Sequence, residues 1–308
     1  MQVIQKLSKS ASFIVLTLVF SAGVTPIAIR IAQGEGMPSL VIVFIRLWLV
    51  SLGLFPVVWS RYREQIFRLT MREYILGTIA GFWLALNLFM LFLALENTSV
   101  LVSSVLRRTT PLWIVFPEVL LLGAVFTRRI WLSLLLTLMG VLLIAVGGDR
   151  LVELGNQPLL GAGMATFGAI CLGVYLLIGR RLSTEMPVLL YSFLVFAGAA
   201  IVATVFVWGT RTPLLGYPLP GYLWTLIVTV LAQVLGHLVI NLGLRQFSAT
   251  AMGIILQVGV VVSTVIALIV FQEIPTLPQV IGSILIVGGV ILATVEQSRR
   301  LRKPALTL

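Results

Sequence analysis

Long apolar stretches recur along the chain, and each is long enough to cross a lipid bilayer as a helix. A membrane-spanning helix needs about 20 apolar residues to cross a hydrocarbon core of roughly 30 Å. Of the 308 residues 59% are hydrophobic and 10% are charged, whereas a soluble domain carries about 25% charged residues. The polar intervals between the stretches are short and leave no room for a separate soluble catalytic domain. The sequence therefore predicts an all-α integral membrane protein.

The apolar stretches predict ten transmembrane helices. Basic residues are enriched in the cytoplasmic loops of membrane proteins, and most of the 21 Lys and Arg residues fall in intervals that face the cytoplasm if the N-terminus does. The formal net charge of +11 thus reflects the orientation of the helices in the membrane and does not indicate binding of nucleic acid. We expect a multi-pass protein of the cytoplasmic (inner) membrane with both termini in the cytoplasm. The predicted spans lie near residues 11–31, 39–59, 74–95, 99–122, 130–147, 158–179, 187–208, 221–243, 249–271 and 276–295.

The two halves of the chain match each other at a single shift. Met37 aligns with Met186 and Trp59 with Trp208, a shift of 186 − 37 = 149 residues. Because the first apolar stretch has a counterpart in the second half, it is predicted to be a retained helix rather than a cleaved signal peptide. Each half holds an odd number of spans, so the second half would enter the membrane in the opposite orientation. The sequence predicts two inverted five-helix repeats, 1–149 and 150–308.

This pattern resembles the drug/metabolite transporter superfamily, specifically its ten-helix transporters with two EamA domains. The resemblance covers nearly the whole chain. It implies a transporter, and more often an exporter than an importer. The residues that carry it are the stretch Met37 to Trp48 with Arg46 inside, the corner Ala94-Leu95 to Ser99 leading to Pro111, and Phe271-Gln272-Glu273 followed by Gly282 and Gly289.

Two features depart from that family pattern. Its members usually carry a Leu-Gly-Glu-like corner in both halves, but the first half here reads Leu122-Gly123-Ala124, with no acid at the position that matches Glu273. The other departure is the Arg107-Arg108 pair, where the family usually has small or apolar residues. Neither changes the predicted fold, but both weaken any inference of substrate from a relative.

Three arginines, Arg46, Arg107 and Arg108, lie inside predicted spans, where a charged side chain costs about 2.5–3.5 kcal/mol on insertion scales. One alternative is that the fourth span begins near Thr109 and that the paired guanidiniums reach the headgroups. For Arg46 the alternative is an ion pair or a contact with a helix-end carbonyl. In the first half Glu118 is the single acid within the predicted spans, against three arginines. A bound anion would supply the negative charge that the spans lack.

Further polar residues extend the candidate site. The eighth span carries a polar stripe with a spacing of four, and Trp83 and Asn87 share a face of the third span. The alternative reading of such residues is interhelical hydrogen bonding, worth about 0.6 kcal/mol on average in membranes. A lone histidine is equally compatible with a structural role and with proton carriage. The predicted substrate-binding residues are Arg46, Arg107, Arg108, Trp83, Asn87, Tyr175, Gln233, His237, Asn241 and Gln257.

The leading functional interpretation is a secondary transporter, not an enzyme, that moves a small anionic or zwitterionic metabolite such as an amino acid by alternating access. Multidrug efflux of lipophilic compounds and a lipid-handling membrane protein are the alternatives. With one cysteine and one histidine the common metal sites lack ligands, so no metal or cofactor is expected. The expected partners are the substrate and the lipid bilayer, in a monomer or homodimer. Candidates for ion coupling are Glu118, His237 and Glu273.

Overall fold

The computed structural model of the chain describes residues 2–97, 106–122, 125–146, 157–271 and 276–302. Within these ranges all regular structure is helical, which confirms the predicted all-α class. The helices are α1 (Gln2–Gly34), α2 (Ser39–Arg68), α3 (Met71–Asn97), α4 (Thr110–Leu122), α5 (Arg128–Val146), α6 (Pro158–Glu185), α7 (Val188–Gly209), α8 (Leu219–Gly243), α9 (Ala249–Ile255), α10 (Val258–Phe271) and α11 (Leu277–Arg302).

Six of these helices are long and apolar enough to cross a membrane: α1, α2, α3, α6, α7 and α8. Shorter apolar stretches lie in α4 at Thr110–Leu120 and in α11 at Leu277–Ala293. Many large apolar side chains point outward, among them Leu120, which is 81% exposed, and Ile269, at 67%. Contiguous apolar surface of this kind is a liability in water but the required coat for a protein in lipid.

The repeated Met-Pro pair forms the same helix start in both halves. Pro38 is the N-cap residue of α2 and Pro187 that of α7, both with an extended backbone. Proline suits a helix start because its missing N–H would have no helical partner there. Met37 and Met186, just before these caps, are both buried. The motif that identified the repeat is therefore a structural one that begins and anchors a helix.

Other helix starts are capped by side chains. Thr70 and Glu73 form a reciprocal capping box at α3, in which the Glu73 carboxylate accepts from the Thr70 backbone N–H at 2.7 Å. At α9 the Ser248 hydroxyl accepts from the Ala251 N–H at 3.1 Å. Both caps satisfy backbone donors that the first turn of a helix leaves unpaired.

Glycine lets α3 and α7 approach closely. α3 packs against both α6 and α7, while α2 packs on α7, α1 on α8 and α10, α4 on α6, and α5 on α11. A Cβ at Gly81 would overlap the Val195 carbonyl oxygen and lie 2.8 Å from the Ala199 nitrogen. In membranes such close backbone contact is a main source of helix association, since lipid removes the hydrophobic drive between helices.

We expect Gly81→Ala to destabilise the protein by about 1–3 kcal/mol, because the added methyl group must push α3 away from α7. Thermal unfolding in detergent measures this as a lower Tm. The matched control is Gly53→Ala in α2, where an added Cβ meets nothing within 4 Å and the substitution should leave Tm unchanged or slightly raised. Equal behaviour of the two variants would contradict the close contact.

Candidate functional site

Two predicted spans are interrupted, and the interruptions meet. The chain turns at Arg108–Thr109 before α4 and at Leu256–Gln257 between α9 and α10, so the ninth stretch is not the single continuous helix that its hydropathy predicts. Arg108 Nη1 donates to Gln257 Oε1 at 3.4 Å, and Gln257 Nε2 donates to the Arg108 carbonyl oxygen at 2.7 Å. The Gln257 amide thereby satisfies a backbone carbonyl that the break leaves without a helical partner.

The two partners of this contact occupy equivalent positions of the two halves. Their separation of 149 residues equals the shift that aligns the halves. Arg108 is thus bonded to a residue of another helix pair in a partly buried contact. The headgroup-reaching alternative for Arg108 does not require such a contact.

Arg46 and Arg107 bring two further positive charges together. Arg46, on α2, is 4% exposed, and its charge interacts with that of Arg107. The Nε atoms of both are buried and have no hydrogen-bond partner among the described residues. Across those residues Arg46 also forms no ion pair and no carbonyl contact, the two structural roles that the sequence left open for it. Both guanidiniums therefore present unused donors in an interior of low polarity.

His237 lies beside the two arginines. Their charges act on its ring, and the Tyr175 ring packs edge-on against it at a centroid distance of 5.9 Å. The His237 Nδ1 atom has no partner within the described part of the chain, and the same holds for both amide atoms of Gln233, whose side chain is fully buried. Both residues belong to the π-helical segment Thr229–Leu238 of α8, a geometry that is rare and frequent at functional sites.

A hydrogen-bonded chain adjoins this cluster. The Tyr175 hydroxyl donates to Asn241 Oδ1 at 2.6 Å, and Asn241 Nδ2 donates to the Ser192 hydroxyl at 3.0 Å. The three buried side chains tie α6, α8 and α7 together. Asn241 therefore makes the interhelical hydrogen bonds that the sequence offered as its structural alternative, while Gln233 does not within the described residues.

Glu118 is engaged with backbone. Its two carboxylate oxygens accept from the N–H groups of Ala249 and Thr250, each at 2.8 Å, so a buried anion lies at the N-terminus of α9, where the helix dipole is positive. It contacts none of the arginines of the cluster in any described hydrogen bond. Its ion-coupling role stays a prediction, and Glu273 lies outside the described residues.

Trp83 and Asn87 face α6. Asn87 Nδ2 donates to the Gly168 carbonyl oxygen of that helix at 2.8 Å, and the Trp83 ring packs against Phe167 at a centroid distance of 6.3 Å. These contacts hold α3 against α6. The contact of Trp83 and Asn87 with substrate stays a prediction. The structure brings together another set of the predicted site residues: Arg46, Arg107, Tyr175, His237 and, through their own bond, Arg108 and Gln257.

Comparison with known proteins shows a repeated match. The model of a family described as the EamA-like transporter family matches residues 9–146 and again residues 159–295. The chain belongs to the EamA-like transporter family. This confirms the resemblance drawn from the sequence, and with the apolar helices it makes the protein a multi-pass membrane transporter.

Two similar proteins agree with the family assignment. The uncharacterized transporter YyaM of Bacillus subtilis (strain 168) is 25% identical over 209 residues, which are 66% of this chain and 67% of that protein. A solved crystal structure with no more specific description has a TM-score of 0.76 at 18% identity and covers 96% of this chain and 99% of its own. At that identity the likeness shows the fold alone.

Three residues of this EamA-like transporter escaped the sequence reasoning. Ser192 completes the chain to Asn241, the buried Tyr191 hydroxyl has no partner among the described residues, and Arg180 donates to the Leu244 carbonyl oxygen. Serine and tyrosine are common in membrane helices, so neither stood out. Arg180 directly follows the predicted span 158–179, so in the sequence it counts only among the basic residues of a cytoplasmic loop.

We expect Glu118→Gln to lower Tm, because the amide nitrogen cannot accept the second backbone N–H and the charge facing the α9 dipole is lost. Hydrogen bonds to charged groups contribute about 1.5–3 kcal/mol each. The matched control is Glu64→Gln, an acid whose side chain is 88% exposed, which should leave Tm unchanged. A Glu118 variant as stable as this control would contradict the capping role.

Proposed function

We propose that this EamA-like transporter is a secondary transporter, not an enzyme, for a small anionic or zwitterionic metabolite such as an amino acid. The observation that carries the proposal is the cluster of Arg46, Arg107 and His237. The Nε atoms of both arginines are buried and have no partner among the described residues, so an acceptor is missing there. Guanidinium groups bind carboxylate and phosphate with charge-assisted, often paired hydrogen bonds. A bound anion would provide both the acceptors and the negative charge.

The proposal includes ten helices in two inverted repeats. The helix packing supports it. A shift of 149 residues relates the contact of α3 with α6 to that of α8 with α1, and the contact of α4 with α6 to that of α10 with α1. Helices α2 and α5 each pack on their own counterparts, α7 and α11. The bond between Arg108 and Gln257 adds support, since a residue can contact its own symmetry mate only beside the axis that relates them.

The helix breaks suit alternating access. α4 begins just after Arg108, and α10 begins just after Gln257, so two helix N-termini start next to this contact. Positive dipole ends of interrupted helices near the membrane midplane bind anionic groups in other transporters with inverted repeats. One half rocking against the other about the Arg108–Gln257 contact would expose the arginine cluster to each side in turn.

The placement in the cell follows the charge pattern. We propose an inner-membrane exporter with both termini in the cytoplasm, acting as a monomer or homodimer. Its driving force would come from an ion gradient or from exchange, with His237, Glu118 and Glu273 as candidates for coupling.

Replacement of Arg46 tests the proposal. In detergent, ligand at 100 times its Kd should stabilise the wild-type protein by about 2.7 kcal/mol, seen as a rise in Tm against a panel of amino acids, organic acids, sugar phosphates and lipophilic cations. Arg46→Gln should abolish the response to anionic ligands and their transport into liposomes. Arg181→Gln, at an exposed arginine paired with Glu185, should keep both.

A response to lipophilic cations alone, unaffected by Arg46→Gln, would refute the anion site and favour multidrug efflux. Retained anion binding in a folded Arg46→Gln protein would refute it as well.

For His237 the test is pH dependence. If its imidazole carries the coupling proton, His237→Asn should flatten the pH profile of transport. A profile identical to that of the wild type would remove His237 from the coupling candidates.

A further inference from the structure

Among the described side chains, the charges around the site do not balance. Arg46 is buried, the charge of Arg107 acts on both Arg46 and Arg108, and Arg108 is bonded to Gln257. Of the acids whose side chains the structure describes, Glu118 and Glu296 are buried. Glu118 accepts from two backbone N–H groups at the start of α9, and Glu296 is paired with Arg129 at 3.3 Å. The described hydrogen bonds of Glu118 do not reach the arginine cluster.

We propose that the substrate is a dianion, a dicarboxylate or a phosphate monoester, rather than a zwitterionic amino acid. This inference rests on the proposed function and narrows it. A zwitterion brings no net negative charge, so it would leave the buried positive charge of the cluster uncompensated. A dianion removes most of that excess, and buried charges are stable only when they are paired.

The ammonium group decides between the two ligand classes. Among the described residues of the candidate site, the buried side-chain atoms without partners are Nε of Arg46 and Arg107, Nδ1 of His237 and the amide atoms of Gln233. Arg46 and Arg107 carry positive charge and repel an ammonium. The acceptors among those atoms, the Gln233 carbonyl oxygen and His237 Nδ1 in one tautomer, are neutral and bring no compensating charge. Like charges brought together at low dielectric are strongly disfavoured. An ammonium would therefore enter a region built to repel it.

The same residues fit a dianion with a neutral polar substituent. Arg46 and Arg107 offer separate guanidiniums for two acidic groups or for the several oxygens of one phosphate. The Gln233 amide, which can both donate and accept, suits a hydroxyl or keto oxygen. Arg108, bonded through Nη1 to Gln257, contributes its positive charge as well.

Malate and aspartate provide a matched test, since they differ only by a hydroxyl in place of the ammonium group. Binding of each to the detergent-solubilised full chain is measured by calorimetry and by the shift in Tm, with glycerol 3-phosphate as the phosphate monoester and β-alanine as a short zwitterion. We expect malate or glycerol 3-phosphate to bind at least tenfold more tightly than aspartate, and β-alanine not to bind. Which of the two dianions binds identifies the acidic group.

Variants separate this inference from the function on which it rests. Arg46→Gln should lose dianion binding, whereas Arg181→Gln should retain it. Aspartate binding as tightly as malate, and lost in Arg46→Gln, would overturn the dianion inference while leaving the proposed anionic or zwitterionic transporter intact. If no ligand of either class depends on Arg46 in a folded protein, the proposed function fails too.

Discussion

Positive charge inside a bundle of apolar helices is the constraint on which the rest of the structure depends. A guanidinium away from water must find an acceptor or a counter-charge. The chain meets that demand locally for Arg108, through Gln257, and for Arg180, through the Leu244 carbonyl oxygen. It leaves Arg46 and the Nε atom of Arg107 without partners among the described residues.

The surrounding polar groups divide into those that hold helices together and those that stay available. Tyr175, Asn241 and Ser192 bond one another, and Glu118 fastens α4 to the start of α9. A buried polar network that is fully satisfied stiffens its surroundings. Tyr175 of this network packs against His237, whose Nδ1 has no partner among the described residues. Satisfied and unsatisfied polar groups are therefore in direct contact.

Hydropathy and the repeat predicted most of the architecture, because the length of an apolar stretch and a Met-Pro helix start are local properties of the chain. They did not predict the break at Leu256–Gln257, which contains no proline and depends on the Arg108 backbone as a partner from the other half. The arginine cluster was foreseen as excess charge, but Ser192 and the cap formed by Glu118 were not. Their roles arise from packing between distant segments, which spacing within one helix cannot reveal.

Arg108 and Gln257 contact each other from equivalent positions of the two halves, but one side chain is charged and the other is neutral. If two copies of the first half assembled with each other, the same geometry would place Arg108 against Arg108, and two like charges would repel at the centre of the assembly. Two copies of the second half would instead pair glutamine with glutamine, a neutral and mutually satisfied contact. Covalent connection of unlike halves therefore lets one guanidinium face a glutamine at this contact, which a symmetric pair of identical subunits could not achieve.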